Sequence, residues 1–407
     1  MNPASIPIRV LQVFGQMNRG GAELRTLEIM RRTNRSEFQL KFCVLSGLAG
    51  DLDDEIRALG GSVHRCRLGP LFPLRFRHLI AREGVDVVQS HVHYFSGYVL
   101  ALAKRAGVPV RIAHFRSTTD GQPDTLRRRI QRKWMRRLIE RDATHVLANG
   151  KAVMEAAWGP DWGSDGRREI VFNGLDPAPY AATPDKDGLR RELRIPDNAR
   201  VVIHVGRLDR PKNHTRLVRI FLELSRLEGN TWLLLVGRGG NQLEEVIHRD
   251  VTRLGLQSKV LFLGLRSDVP RLMLGSDLMI FPSTWEGLPG VLLEACAADL
   301  PVLASDIAPN REVADFFESV RLLPLAASDA EWASVAAALS KEARRSRDGP
   351  EAILRSPFSI RVCAEAHRTV WQGRSPDALR DIYRRFDPVS GTSLGDSATS
   401  SRWTEPS

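Results

Sequence analysis

Short runs that are apolar at nearly every position alternate along the chain with longer segments whose apolar residues recur every three or four places. In the first half the runs are Ile8–Phe14, Leu40–Leu45, Val85–Gln89, Val110–Phe115, Thr144–Ala148 and Ile170–Phe172. In the second half they are Val201–Val205, Trp232–Val236, Val260–Leu263, Leu278–Phe281, Val302–Ala304 and Arg321–Leu323. A run such as Trp232–Val236 (WLLLV) has no polar face, which suits a parallel strand covered by helices on both sides. Strand and helix in steady alternation predict an α/β chain of doubly wound sheets.

The alternation breaks once, where Asp176-Pro177-Ala178-Pro179 and Pro184-Asp185-Lys186-Asp187-Gly188 interrupt the periodic signal. This break predicts two α/β domains, residues 1–175 and 200–355, joined by a linker at 176–199. A helical segment at 356–386 follows, and the Ser-, Thr-, Gly- and Pro-rich stretch 387–407 reads as a disordered tail. Two such domains leave a cleft between the carboxyl ends of facing sheets, where open α/β sheets bind ligands.

Composition changes this picture in two respects. The 407 residues carry a formal net charge of +11, which points to anionic partners such as phosphorylated substrates or acidic lipid headgroups. Aromatic residues are only 7% of the chain and no nucleic-acid module is visible, so nucleic acid is not expected among those partners. Cys43, Cys66, Cys296 and Cys363 are scattered without a C-x-x-C pair, which argues against a disulfide framework or a structural zinc. Met1–Pro7 shows no basic and then apolar leader, and no apolar run reaches the ~18 residues of a membrane span, so a cytoplasmic location is expected.

Two clusters carry the chemistry. Gly206-Arg207-Leu208-Asp209-Arg210-Pro211-Lys212-Asn213 follows directly on the run Val201–Val205. A glycine there admits a ligand close to the backbone, and Arg207 and Lys212 set two cations at the sheet's mouth, suited to a diphosphate. The second cluster, Trp285-Glu286-Gly287-Leu288-Pro289-Gly290-Val291-Leu292-Leu293-Glu294, follows the run Leu278–Phe281. Its two carboxylates straddle a Gly/Pro loop and a helix start near Gly290, whose free amides can receive phosphate oxygens.

With Val201–Arg207, Gly237-Arg238-Gly239, the stretch from Phe262 to Val269, Asp277–Ser283, the E-x7-E pair Glu286 and Glu294, and Pro301–Asp306, the second half resembles the retaining family-4 glycosyltransferases of the glycosyltransferase-B fold. The first half resembles members acting in bacterial exopolysaccharide and capsule assembly, through Val10–Phe14, Arg19-Gly20-Gly21-Ala22-Glu23 and Pro109–His114. The resemblance implies two facing Rossmann-like domains, with the C-terminal helix returning to the first, and a nucleotide-sugar donor, UDP-linked. It implies that Arg207 and Lys212 hold the donor diphosphate, Glu294 the ribose and Glu286 the transferred sugar. Gly206, Gly237, Gly287, Leu288, Pro289, Gly290, Val291 and Leu292 would line the donor, and the backbone at Leu265–Arg266 would meet the base. It further implies retention of configuration, a glycan or polyprenyl-linked acceptor, and neither a cofactor nor a divalent metal. The chain departs from the family's usual pattern at Arg238, at Gly290 and at Ile307-Ala308-Pro309-Asn310, positions that bear on which sugar is taken.

On the first domain, the Gly20-Gly21 loop is expected to close over donor phosphate or acceptor. His114, at the end of a strand run, is expected to point into the cleft and act there. His91 and His93 share a face of an extended segment, yet no third ligand completes a metal set. Asp51-Leu52-Asp53 imitates a metal-binding D-x-D but opens a helical pattern, where acidic residues favour the amino terminus.

The most basic stretch is Thr125–Asp142. Leu126, Ile130, Trp134 and Leu138 form a stripe expected to pack in the core, leaving the cationic faces free to meet anionic membrane from the cytoplasmic side. Rival readings are a nucleotide-sugar epimerase or hydrolase on the same fold, and a non-catalytic nucleotide-sugar-binding subunit.

Overall fold

The structure, a computed structural model, describes residues 6–239, 241–342 and 348–386, so the expected tail from residue 387 onward lies outside the described residues. Two sheets form, and every pairing within them is parallel. The first contains β1 (Ile8–Phe14), β2 (Phe38–Val44), β3 (Ser62–Arg65), β4 (Val87–Ser90), β5 (Val110–Phe115), β6 (His145–Ala148) and β7 (Arg168–Ile170), in the order β3-β2-β1-β4-β5-β6-β7. The second contains β8 (Arg200–Val205), β9 (Thr231–Val236), β10 (Val260–Gly264), β11 (Leu278–Phe281), β12 (Val302–Ser305) and β13 (Val320–Leu323), in the order β10-β9-β8-β11-β12-β13. In each sheet the strand order reverses beside the first strand, between β1 and β4 and between β8 and β11. Loops at the carboxyl ends of those strands therefore flank a crevice.

Apolar side chains fill both faces of each sheet. On one face of the first, Leu11, Val13, Val88, Ala113 and Phe115 meet Phe72, Phe76, Val99 and Ile139 from the covering helices. On the other, Val10, Phe14, Val87 and Ile112 meet Cys363, Ala366, Val370 and Trp371. These last four come from the helix Ile360–Trp371, so the chain's end returns to the first domain. The return is pinned at Leu175, whose N–H donates to the Phe358 carbonyl (2.8 Å) and whose carbonyl accepts from the Ile360 N–H (3.1 Å).

β7 pairs at Arg168–Ile170, ahead of the expected run Ile170–Phe172, and three further elements differ from the sequence reading. β3 was not expected, because in Ser62-Val63-His64-Arg65 only Val63 is strongly apolar, as befits a half-covered edge strand. The stretch 176–199 holds a helix, Lys186–Leu193, whose Leu189 lies fully buried in the core of the second domain. Lys186 (2.7 Å) and Arg190 (3.1 Å) both bind the Asp277 carboxylate, which also accepts the Val201 N–H (2.9 Å). Prolines interrupt the pattern there, but the chain between them is part of the second domain's fabric rather than a plain connection.

The third difference is the basic helix, Leu126–Asp142. Its apolar stripe is not in the core: Leu126, Ile130 and Trp134 are 74%, 63% and 53% exposed, and only Leu138 of the four is buried. The buried contacts come from Met135, Leu138 and Ile139. Arg128 and Arg132 turn inward instead, and both bind Asp120 (3.1 and 2.8 Å) in the preceding loop. That ionic anchor fixes the helix's rotation and leaves the stripe outside.

Among the described residues, no helix is long and apolar enough to cross a membrane. Nor is any group of three His, Cys, Asp or Glu side chains placed to hold a metal ion. All four cysteines are free and buried.

Candidate active site

The crevice is built from the loops after β1, β5, β8 and β11. After β8, the backbone turns at Gly206, against which the neighbouring glycine loop lies so close that a methyl on Gly237 would sit 1.9 Å from the Gly206 carbonyl oxygen. Gly237 also has φ +140°, so no other residue fits there. This contact brings the ends of β8 and β9 to one tight ridge. Lys212 then folds back from the Arg210–Lys212 turn over the ring of Phe281 (4.8 Å) and donates to Glu286 Oε1 at 2.8 Å. Both side chains of the pair are largely enclosed, 16% and 12% exposed. Arg207 stays open to solvent, with Asp209 Oδ2 3.3 Å from its guanidinium.

After β11, residues 282–289 lead into the helix Gly290–Ala297, which carries Glu294. Burial pushes the Glu294 carboxyl up, against the pull of Arg25 and Lys212. Leu288 and Leu292, both expected to line the donor, turn their side chains into the core of the second domain. The Arg266 guanidinium is held by Asp268 (2.7 Å) and Glu192 (2.9 Å), and the neighbouring Leu265 is exposed.

The first domain closes directly on these loops. Arg25, on the helix Gly21–Arg31, donates to Glu294 across the crevice and to Glu28 at 2.7 Å on its own helix. Burial lowers the Arg25 pKa, but the two carboxylates outweigh it and the net shift is upward. Glu28 shows the opposite balance: burial and the neighbouring Glu294 overcome Arg25 and push its carboxyl up to about 7. Thr118 donates to the Glu286 carbonyl (2.9 Å), and Asn173 donates to the Leu288 carbonyl (3.3 Å). A methyl on Gly287 would lie 2.1 Å from the Arg116 carbonyl oxygen. Further along, Glu312 of the second domain accepts the Lys151 and Ala152 N–H groups (2.8 and 2.6 Å) at the start of the helix Lys151–Trp158.

Arg25 and Arg116 carry no motif, and sequence reasoning missed both. Arg116 follows β5 directly, at the strand end where sites form, and that position was the available signal. Its guanidinium donates only to neutral acceptors: Asn173 Oδ1 (2.8 Å), His91 Nδ1 (3.3 Å) and Thr26 Oγ1 (3.4 Å). Burial lowers its pKa to about 10, with weak support from Cys363 and Glu23. Glu23 lies in the fields of both Arg207 and Arg116, next to the Gly20-Gly21 turn, where a methyl on Gly20 would strike the Glu23 carboxylate.

His114 does not point into the crevice. It shares the face of Ile112, which the helix Ile360–Trp371 covers, and is 1% exposed. Its Nδ1 bonds Gln89 Nε2 (2.9 Å), and Gln89 Oε1 accepts from Trp371 Nε1 (2.7 Å). Burial and then Arg116 hold His114 well below the ordinary histidine pKa, so it is neutral. Reading the strand end alone could not reveal the helix from the far end of the chain that covers it. His91 likewise serves this buried network, bonding Gln12 Oε1 (2.7 Å) and stacking on Phe14.

Two parallel-sheet α/β domains facing across a crevice are the architecture of the glycosyltransferase-B class of fold. The profile described as glycosyl transferases group 1 matches residues 185–351, and the glycosyl transferase 4-like domain matches residues 20–174. The chain is 32% identical over 307 residues to the putative glycosyltransferase EpsF of Bacillus subtilis, covering 73% of this chain and 79% of EpsF. It is 29% identical over 320 residues to the capsular polysaccharide biosynthesis glycosyltransferase CapH of Staphylococcus aureus, covering 76% and 85%. Anabaena HepE, solved in complex with UDP and glucose, superposes with a TM-score of 0.75 at 20% identity, covering 90% of this chain and 100% of HepE. The chain belongs to the group 1 glycosyltransferases.

Proposed function

We propose that the protein transfers a sugar from a UDP-linked donor to a glycan or lipid-linked acceptor of surface-polysaccharide assembly, retaining anomeric configuration and using no divalent metal. The observation that carries this reading is that the loop of Arg207 and Lys212 after β8 meets Glu286 and Glu294 after β11 at the second sheet's switch point, with Arg25 of the first domain closing on Glu294. CapH is a capsular polysaccharide glycosyltransferase and HepE binds UDP, which favours the same pathway class and donor base.

In this reaction the acceptor hydroxyl oxygen forms a bond to the anomeric carbon while the bond to the β-phosphate oxygen breaks. The acceptor proton passes to the departing phosphate on the same face, and the products are the glycoside and UDP. Negative charge grows on the leaving diphosphate, where Arg207, Lys212 and the first amides of the helix Gly290–Ala297 meet it. Glu286, oriented by Lys212, takes hydroxyls of the transferred sugar, and Glu294 takes the ribose. The backbone at Leu265–Arg266 meets the base. The Gly20-Gly21 turn closes over the phosphates, and closure of the domains excludes water that would otherwise hydrolyse the donor. His114, beneath the floor and neutral, supports this site through Gln89 and His91 rather than by proton transfer. The enzyme works in the cytoplasm, where nucleotide sugars are made.

The test is product analysis with a panel of UDP-sugars, with and without a membrane fraction as acceptor and with and without a chelator. Acceptor-dependent transfer, chelator-resistant and with retained configuration by NMR, is expected. An acceptor-independent conversion of the donor would favour an epimerase or hydrolase instead.

A further inference from the structure

The outward face of the basic helix is assembled from two kinds of side chain in alternation. Leu126, Ile130 and Trp134 are exposed, and Arg127, Lys133 and Arg137 lie beside them, exposed as well. Projected along a helix at 100° per residue, these six fall within one continuous sector. Their charges are also available. The other basic residues of the helix are occupied: Arg128 and Arg132 bind Asp120, Arg129 binds Asp124, Arg136 binds Glu140 and Arg141 binds Asp142. Among the described residues, Arg127, Lys133 and Arg137 have no ion-pair partner. The helix Phe72–Glu83, on the same side of the sheet, adds exposed Leu71 and Leu74 at its start.

A purely solvated helix gains nothing from holding a leucine, an isoleucine and a tryptophan in water. A protein interface would have its free cations matched to specific acids, whereas here they are spaced evenly among apolar side chains. That alternation fits the boundary of an anionic bilayer, where apolar side chains enter between the acyl chains and cations stay at headgroup level. Tryptophan is the aromatic most at home at that depth.

We infer that Leu126, Ile130 and Trp134, with Arg127, Lys133 and Arg137, form a docking face for an anionic lipid surface. The helix that carries the face continues from the loop after β5, whose Thr118 donates to the Glu286 carbonyl at the crevice. Docking therefore sets the crevice mouth at the membrane surface and presents it to a lipid-linked acceptor. This last step rests on the proposed function, whereas the docking face itself does not.

The test uses the full-length protein with vesicles of phosphatidylcholine alone and of an equimolar phosphatidylcholine–phosphatidylglycerol mixture. Co-sedimentation with the anionic mixture only is expected. Ile130→Ser with Trp134→Ser, both outside the core, is expected to weaken that binding at least tenfold, and Arg127→Gln with Lys133→Gln by roughly fivefold per cation. Quenching of Trp134 fluorescence by lipid-borne quenchers, absent in Trp134→Phe, is expected to place the ring among the acyl chains. Binding that survives the apolar double variant, or that transfers fully to soluble polyglutamate, overturns the proposal. UDP binding measured on the same samples reads the crevice independently. Lost vesicle binding with intact UDP binding thus bears on the docking face alone, and lost UDP binding in the wild-type protein bears on the proposed function.

Discussion

Arg25 and Glu294 stand in opposite domains and meet across the crevice, so the carboxylate of the E-x7-E pair that would receive the donor ribose is held by the opposing wall. The Arg25 side chain is 7% exposed, so its charge depends on Glu294 and Glu28. Replacing it leaves two buried carboxyls facing one another.

Arg25→Met is therefore expected to destabilise the protein by on the order of 3 kcal/mol or more, read as a lower denaturant midpoint. Adding Glu294→Gln removes one of the stranded acids and is expected to restore part of the loss. A neutral single variant would show that the pair does not hold the domains together.

Gly287→Ala separates closure from folding. The added methyl would press on the Arg116 carbonyl oxygen in the other domain, while each domain's own core stays intact. The melting temperature is expected to change little, whereas kcat falls at least tenfold because the closed arrangement is denied. Unchanged kcat would mean that the enzyme works without this closure.

Arg116 is a half-buried cation whose hydrogen-bond partners are neutral, a costly arrangement unless a ligand supplies the missing charge. Arg116→Met is expected to leave the ligand-free protein as stable or more stable, and to weaken donor or acceptor binding by ~10-fold or more. Lower stability with unchanged kinetics would make Arg116 a structural tie only.

Glu28 gives the site a pH dependence. A carboxyl whose pKa rises on folding, here to about 7 from the ordinary ~4.3, binds more protons folded than unfolded between those values. Stability of the ligand-free protein is therefore expected to fall as pH rises from about 4.3 to about 7, then to level off. Glu28→Gln should flatten that slope in a series of thermal melts. An identical slope in the variant would assign it to other groups.

Both sheets and the switch-point loops were legible because the strands are apolar on both faces and glycines follow several of them closely. β3 was hidden by its polar edge composition. The stripe of the basic helix was visible as a period, but period does not say which way a helix is turned. The Arg128 and Arg132 anchor to Asp120 decides that, and it is a tertiary fact. The same holds for His114, whose partner helix begins at Ile360, and for Arg25 with Glu294, whose pairing no spacing rule connects.

The central claim is that the crevice grips a nucleoside diphosphate through Arg207 and Lys212, and ligand-induced thermal stabilisation tests it most directly. UDP and at least one UDP-sugar should raise the wild-type melting temperature. Arg207→Ala, at a side chain 70% exposed, should melt like wild type without ligand yet lose most of that rise, and Lys212→Ala should lose it as well. Absence of stabilisation by any nucleotide sugar or nucleoside diphosphate, or a full response in both variants, would contradict it.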